Sequence, residues 1–314
     1  MKRLLSGVLG IFLSTQGYAG DFSRLYVFGD SLSDAGNLHI ALLQQGIGGL
    51  PGEYSKSFYP IPLGRASNGP VAMEYVANQL GLQALPSFLG GTNYAFIGAK
   101  AQMDHDAFPF DFPAQVYALA GKLQASGAGL QESDLVTVMI GANDIRSAIE
   151  TVAVTQNMAD AEQQIDQAIA SVRQQLGFLR SLGARNWLLV NAPELEASPY
   201  IQELMAQIHP SAKKQVKELT KRFNTQFEKL VRELELQGSG QVRFFDIYHE
   251  AHVIQATSFA AGFTNRTDTC WSQADGYVNG CSVAASFDYF YFDNFHPSTR
   301  IHKQVADRIL EALQ

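Results

Sequence analysis

Apolar residues recur at helical spacing in two long stretches of the chain. Met158, Ala161, Ile165, Ile169, Val172, Leu176 and Leu179 form one stripe, with Glu162, Gln163, Asp166 and Arg173 between them; Val216, Leu219, Phe223, Phe227, Leu230 and Leu234 form the second. Such stripes predict helices packing one face on a sheet. Short apolar runs lie between and around them: Leu25-Tyr26-Val27-Phe28, Asn93-Tyr94-Ala95-Phe96-Ile97, Asp134 to Ile140, Trp187-Leu188-Leu189-Val190 and Val242-Arg243-Phe244-Phe245. Runs of this kind suit buried parallel strands. A last helix is expected after Ser298 as N-cap, through Ile301, Val305, Ile309 and Leu313. The β-α-β-α alternation predicts an α/β fold, a three-layer α/β/α sandwich around a five-stranded parallel sheet.

The polar residues that end these runs carry the chemistry. The first run breaks at Phe28-Gly29-Asp30-Ser31-Leu32-Ser33-Asp34-Ala35-Gly36-Asn37, which places the Ser31 hydroxyl at the carboxyl end of a strand, where open α/β sheets gather their reactive groups. A serine hydroxyl becomes a useful nucleophile when a histidine takes its proton and a third group orients that histidine. Asp293-Asn294-Phe295-His296-Pro297 supplies both types near the other end of the chain. In the middle, the run from Asp134 leads into Gly141-Ala142-Asn143-Asp144, offering the Asn143 amide as a donor to a developing alkoxide. Gly98, after Asn93-Tyr94-Ala95-Phe96-Ile97, lets a backbone N–H approach a ligand with no Cβ in the way. Three strand ends are expected to converge on one point.

These blocks, in this order and over nearly the whole chain past residue 19, resemble the GDSL lipases, or SGNH hydrolases. The resemblance implies a flavodoxin-like sheet, Ser31 as nucleophile and first oxyanion N–H, Gly98 as second donor, Asn143 as third, and His296 with Asp293 as base and orienting carboxylate. Many relatives have a glycine where this chain has Ile97, so the donor role falls on Gly98 alone. Phe28 to Asn37, Ala66-Ser67-Asn68-Gly69-Pro70 and Phe292 to Ser298 further resemble the branch of secreted bacterial phospholipases A, lysophospholipases A and glycerophospholipid:cholesterol acyltransferases. That branch implies a lipid-ester substrate, transient contact with a membrane surface, and no cofactor or metal. Lysophospholipase A is the leading expectation, with sterol acyl transfer and a short-chain carbohydrate esterase as alternatives. A lipid-binding protein with a dead site is disfavoured by the full set of catalytic types. An α/β-hydrolase proper is excluded because G-x-S-x-G is missing and the candidate nucleophile follows the first strand.

Composition adds a compartment. Lys2 and Arg3, the apolar stretch Leu4 to Leu13 and Gly17-Tyr18-Ala19 read as a signal peptide over residues 1–19, cleaved after Ala19, with a single domain over 20–314 and a secreted or periplasmic product. The stretch is too short for a permanent membrane span. The net charge of −7 argues against a nucleic-acid partner. Cys270 and Cys281 are expected to pair in an oxidising compartment, closing a loop worth about 3 kcal/mol. That loop is read as exposed and as a staple, with a lid opened by an activating protease, as in relatives of the branch, as the sharper alternative.

Asp30, Asp34 and Asn37 are expected to brace the turn rather than bind metal, and Asp104-His105-Asp106 to be a solvated loop. His39, His209, His249, His252 and His302 have no partner motif. The aromatic run Phe287, Tyr289, Phe290, Tyr291, Phe292 and Phe295 is divided between core packing and an acyl-chain groove.

Overall fold

A computed structural model describes residues 22–56, 64–103, 110–207, 210–238 and 240–314. The expected signal peptide and the Asp104-His105-Asp106 loop lie outside the described residues, as does His209. The central sheet runs β1 (Arg24–Gly29), β2 (Asp134–Met139), β3 (Asn186–Val190) and β4 (Gln241–Phe245), every neighbouring pair parallel. Alternate residues of each strand face opposite sides, and this period sorts the core into two layers. Tyr26, Phe28, Val136, Val138, Trp187 and Leu189 pack on one side, with α3 (Phe112–Ser126), α4 (Ala142–Thr155), α5 (Met158–Ser181) and α7 (Pro210–Leu236). Leu25, Val27, Leu135, Met139, Leu188 and Val190 pack on the other, with α2 (Ala72–Gln79), α8 (Ile247–Thr257) and α9 (Thr299–Ala312). The three-layer sandwich is as the apolar patterning predicts.

The fifth strand is not regular. The segment 92–96 lies parallel beside β1, where the Val27 N–H donates to the Thr92 carbonyl at 3.0 Å and the Tyr94 and Phe96 N–H groups donate to Val27 and Gly29. Its outward groups are already occupied. Asn37 Nδ2 donates to the carbonyls of Asn93 and Ala95, the Ala95 N–H donates to the Asn93 side chain, and the Asn93 N–H donates to Leu85. The five-stranded expectation is therefore corrected to four strands plus an irregular segment on the β1 side, whose outward groups are taken up largely by asparagine side chains.

Helix starts use local side-chain caps in some places and distant partners in others. The Asn157 side chain accepts from the Ala159 and Asp160 N–H groups and starts α5. Ser298 takes the N-cap position of α9 in extended conformation, yet its hydroxyl makes no cap bond. The Thr299 N–H instead donates to Asn68 Oδ1 at 2.8 Å, and Thr299 Oγ1 donates to the Pro70 carbonyl. The Ala66-to-Pro70 motif thus docks the start of α9, and Gly69 is required there because a Cβ would lie 2.7 Å from Thr299 Oγ1.

The remaining elements lie around the sheet. Helix α1 (Asn37–Gln44) follows the Ser31 turn, α6 (Pro199–Gln207) precedes α7, and β5 (Asn265–Thr269) pairs with β8 (Tyr289–Tyr291). Cys270 and Cys281 form a disulfide across the hairpin β6 (Trp271–Ser272) and β7 (Gly276–Tyr277). This segment is less exposed than the sequence suggests: Trp271 is buried, stacked on Phe292 at 5.8 Å and edge-on to Tyr54 at 4.7 Å. Among the described residues no helix is long and apolar enough to cross a membrane.

Candidate active site

Ser31 follows β1, Asn143 opens the helix after β2, and Gly98 follows the edge segment beside β1. The chain leaves β1 first toward that edge and then crosses to β2, so Ser31 stands at the point where the strand order reverses, the usual place for a ligand in such sheets. His296 and Asp293 come from the turn between β8 and α9.

His296 Nε2 lies 2.7 Å from Ser31 Oγ, and His296 Nδ1 lies 2.7 Å from Asp293 Oδ2. An ionised carboxylate only accepts, so Nδ1 carries the proton and Nε2 accepts from the serine hydroxyl. The carboxylate is held from three further directions: Asp293 Oδ1 accepts the Phe295 and His296 N–H groups at 2.7 and 2.6 Å, and Tyr54 donates its hydroxyl to Oδ2 at 2.5 Å. Burial pushes Asp293 up, but the adjacent His296 and these hydrogen bonds outweigh it and hold the carboxyl below its ordinary range. Burial, with the Asp293 charge beside it, pushes the Tyr54 phenol far up, so it remains a donor.

The N–H groups of Ser31 and Gly98 donate to no partner among the described residues. Gly98 has φ +86°, a conformation that favours glycine. Asn143 spends one Nδ2 proton on the Ala99 carbonyl at 2.9 Å, which fixes the amide and leaves its second proton for a ligand. Gly98, Asn143, Ser31 and His296 border one cavity, so the five residues singled out from sequence meet at one place. What they can do there is transfer a proton from a hydroxyl while offering donors to a new oxyanion.

Buried acids brace this arrangement. Asp34 accepts the Gly36 and Asn37 N–H groups of its own turn and, across the site, the Ile97 N–H at 3.0 Å, tying the serine turn to the Gly98 loop. Asp30 accepts the Leu32 N–H, and Asp144 accepts the Ala101 N–H. Burial pushes Asp30 and Asp34 up to about 6 and Asp144 to about 7, against the pull of those backbone donors. Asp30, Asp34 and Asn37 thus spend their side chains on the turn and the edge segment.

Two cavities open from Ser31. One is apolar and runs between the sheet, α8 and α9; Leu32, Met73, Ile254, Phe290, Val305 and Ile309 are among its walls, and its volume, open mouth included, is about 960 Å³. The other is the more polar of the two and borders Tyr54, Gly98, Arg146, Glu150, Tyr200 and His296. The aromatic run divides between roles: Tyr289 and Phe292 pack with Trp271 in the core, Phe290, Tyr291 and Phe295 line the apolar cavity, and Phe287 is exposed. No described residue of 270–281 lines either cavity.

Three further residues at the site were not assigned to it from the sequence. Tyr54 lies in a short turn of 3-10 helix and reaches Asp293 only through the fold. Arg146 was legible in principle, one turn after Asn143 on the same helix face. His302 is buried on the apolar cavity, its Nδ1 accepting the Ala72 N–H, and burial pushes it down to about 3.

The family model of GDSL-like lipase/acylhydrolases matches residues 25–309. A GDSL esterase/lipase of Arabidopsis thaliana is 26% identical over 91% of this chain and 85% of its own length, and a GDSL lipase of Tanacetum cinerariifolium is 25% identical over 91% and 82%. Lipase 1 of Photorhabdus luminescens is 29% identical over 65% of this chain, which corresponds to 28% of that larger protein. Among solved structures, Axe2, an acetylxylan esterase of Geobacillus stearothermophilus, aligns over 94% of both chains at 16% identity with a TM-score of 0.44. With the serine, asparagine and histidine blocks inside the matched span, the chain belongs to the GDSL-like lipase/acylhydrolase family and is a carboxylic ester hydrolase.

Proposed function

We propose that the protein is an exported lysophospholipase A or phospholipase A that works through an acyl-enzyme. The observation that carries the acyl-lipid reading is the apolar cavity opening at Ser31, walled by Leu32, Met73, Ile254, Phe290, Val305 and Ile309 with few polar groups, as an acyl chain requires. Its walls bury a hydrocarbon chain at roughly 0.8 kcal/mol per CH₂. Export is supported by the disulfide and by the charged-then-apolar start of the chain.

The chemistry follows from the hydrogen-bond order. Ser31 Oγ attacks the ester carbonyl carbon as its proton passes to His296 Nε2, with Asp293 stabilising the imidazolium. The carbonyl oxygen takes the negative charge and meets the N–H groups of Ser31 and Gly98 and the second amide proton of Asn143. Collapse expels the glycerol oxygen, which takes the proton from His296. Water then attacks the acyl-enzyme by the same route and releases a fatty acid. A sterol hydroxyl in place of that water would give a sterol ester.

The test is fatty-acid release by the purified mature protein from lysophosphatidylcholine and phosphatidylcholine, with and without cholesterol, beside Ser31→Ala. Release from the one-chain lipid, reduced about 10⁴-fold in kcat by the substitution, is the expected result. Sterol ester formed with cholesterol would make the enzyme an acyltransferase. Cleavage of acetyl esters alone would move the function to small-acyl substrates and overturn the lipid reading.

A further inference from the structure

The two cavities share Ser31, Asn143 and Phe295 and differ in chemistry. An ester carbonyl at Ser31 with its acyl chain in the apolar cavity sends the alcohol half of the substrate toward the polar one. Helix α4 borders that route. Asn143, Arg146 and Glu150 are spaced by three and four residues, so they line one face, and Arg146 stands about 4.5 Å along the helix from the oxyanion donor.

Arg146 is poised but underused. Its guanidinium lies 5.7 Å over the Phe295 ring, and its Nε is buried without a hydrogen bond, 3.6 Å from Glu150 Oε1. Beyond the ion pair with Glu150, in which both side chains are partly exposed, its guanidinium makes no hydrogen bond to a protein acceptor among the described residues. Glu150 is fixed from its other side by the Tyr200 hydroxyl at 2.7 Å, and the Tyr200 ring meets Phe295 edge-on at 6.1 Å. A guanidinium with free donors matches a phosphate, which it grips through paired N–H bonds. A carboxylate and an aromatic ring beside it match a cation. Glu150 also makes the pocket poor for a dianionic phosphate monoester, because it cancels the charge of Arg146 at short range.

We propose that the polar cavity is a head-group subsite for a zwitterionic phosphodiester, with Arg146 taking the phosphate and Glu150 with Tyr200 taking the ammonium. The proposal rests on the phospholipid reading above and deepens it. It separates two tasks that lie side by side at Ser31: the apolar cavity measures the acyl chain, and α4 reads what the acyl group is attached to.

The experiment compares kcat/KM for three esters of one acyl length, kept below the concentration at which they aggregate: lysophosphatidylcholine, lysophosphatidylglycerol and 1-monoacylglycerol. In Arg146→Met the preference for lysophosphatidylcholine over monoacylglycerol is expected to fall about tenfold or more, as for loss of a charge-assisted hydrogen bond. Arg146→Lys, which keeps the charge without the fork, is expected to fall between Met and wild type. In Glu150→Gln the preference for the choline over the glycerol head group is expected to fall. An Arg146→Met enzyme that keeps the wild-type preference, or that loses both esters in equal proportion, overturns the subsite while the phospholipid reading stands. A wild-type enzyme that cleaves monoacylglycerol and neither phospholipid overturns both.

Discussion

Four hydrogen bonds converge on Asp293: from the His296 ring, two backbone N–H groups and the Tyr54 hydroxyl. The hydroxyl is one of the groups that keep this buried carboxyl ionised, so Tyr54→Phe raises the pH at which Asp293 gains a proton. The acid limb of kcat/KM is expected to move to higher pH, with a several-fold loss of kcat; an unmoved limb would assign Tyr54 to packing alone. His302 gives a prediction of opposite kind, on stability. Its folded value near 3 lies below the ordinary histidine value of about 6.5, so in acid the unfolded chain binds the extra proton. The contribution is intact above about pH 6.5 and is lost progressively as pH falls toward 3. His302→Leu orphans the Ala72 N–H, at about 1–2 kcal/mol near pH 7, and removes that acid loss. The gap between variant and wild type in urea unfolding is therefore expected to close as the pH is lowered to about 4.

Element by element, the helices and strands show what a sequence carries. Ser31, Asn143 and the Asp293-His296 pair were legible because each sits where an apolar run stops, and a buried strand end has few residues to spare for anything but function. The α5 and α7 stripes were legible because a buried face repeats over several turns. Tyr54 was not, because its value lies in an approach to Asp293 across more than two hundred residues, and no local spacing records that. The edge segment was read as a strand because it is a short apolar run ending at a glycine; the Asn37 side chain, from a different element, occupies its outward carbonyls. Ser298 marks the start of α9, but its hydroxyl makes no cap bond, and the N–H of the first helical residue, Thr299, donates to Asn68. On the acyl-lipid reading, helix α9 also sets a ruler. Ile309 lies ten residues beyond its first residue, about 15 Å along the axis, and it lines the apolar cavity. Ile309→Phe is expected to lower kcat/KM for dodecanoyl and longer esters about tenfold relative to butanoyl esters. A uniform profile across chain lengths would show that acyl chains do not extend along α9.

Across the whole molecule, the disulfide hairpin reaches the site from behind. Trp271, next to Cys270, packs edge-on against Tyr54, and Tyr277 donates its hydroxyl to Glu53 in the same short turn. Cys270→Ser with Cys281→Ser is expected to cost about 3 kcal/mol, read as a lower melting temperature, and to shift the pH profile in the direction of Tyr54→Phe. A fall in melting temperature with an unchanged profile would confine the hairpin to a staple. The apolar cavity has its own global consequence. Its walls are side chains of the same core that holds α8 and α9 to the sheet, so whatever fills it joins the interior. On the acyl-lipid reading proposed above, the tenant after hydrolysis is the free fatty acid, which keeps the apolar contacts of the substrate's acyl chain while the alcohol half has departed. On that reading, long-chain products are expected to stabilise the fold and to leave slowly, so that turnover is paced by the departure of the acid as its tail lengthens.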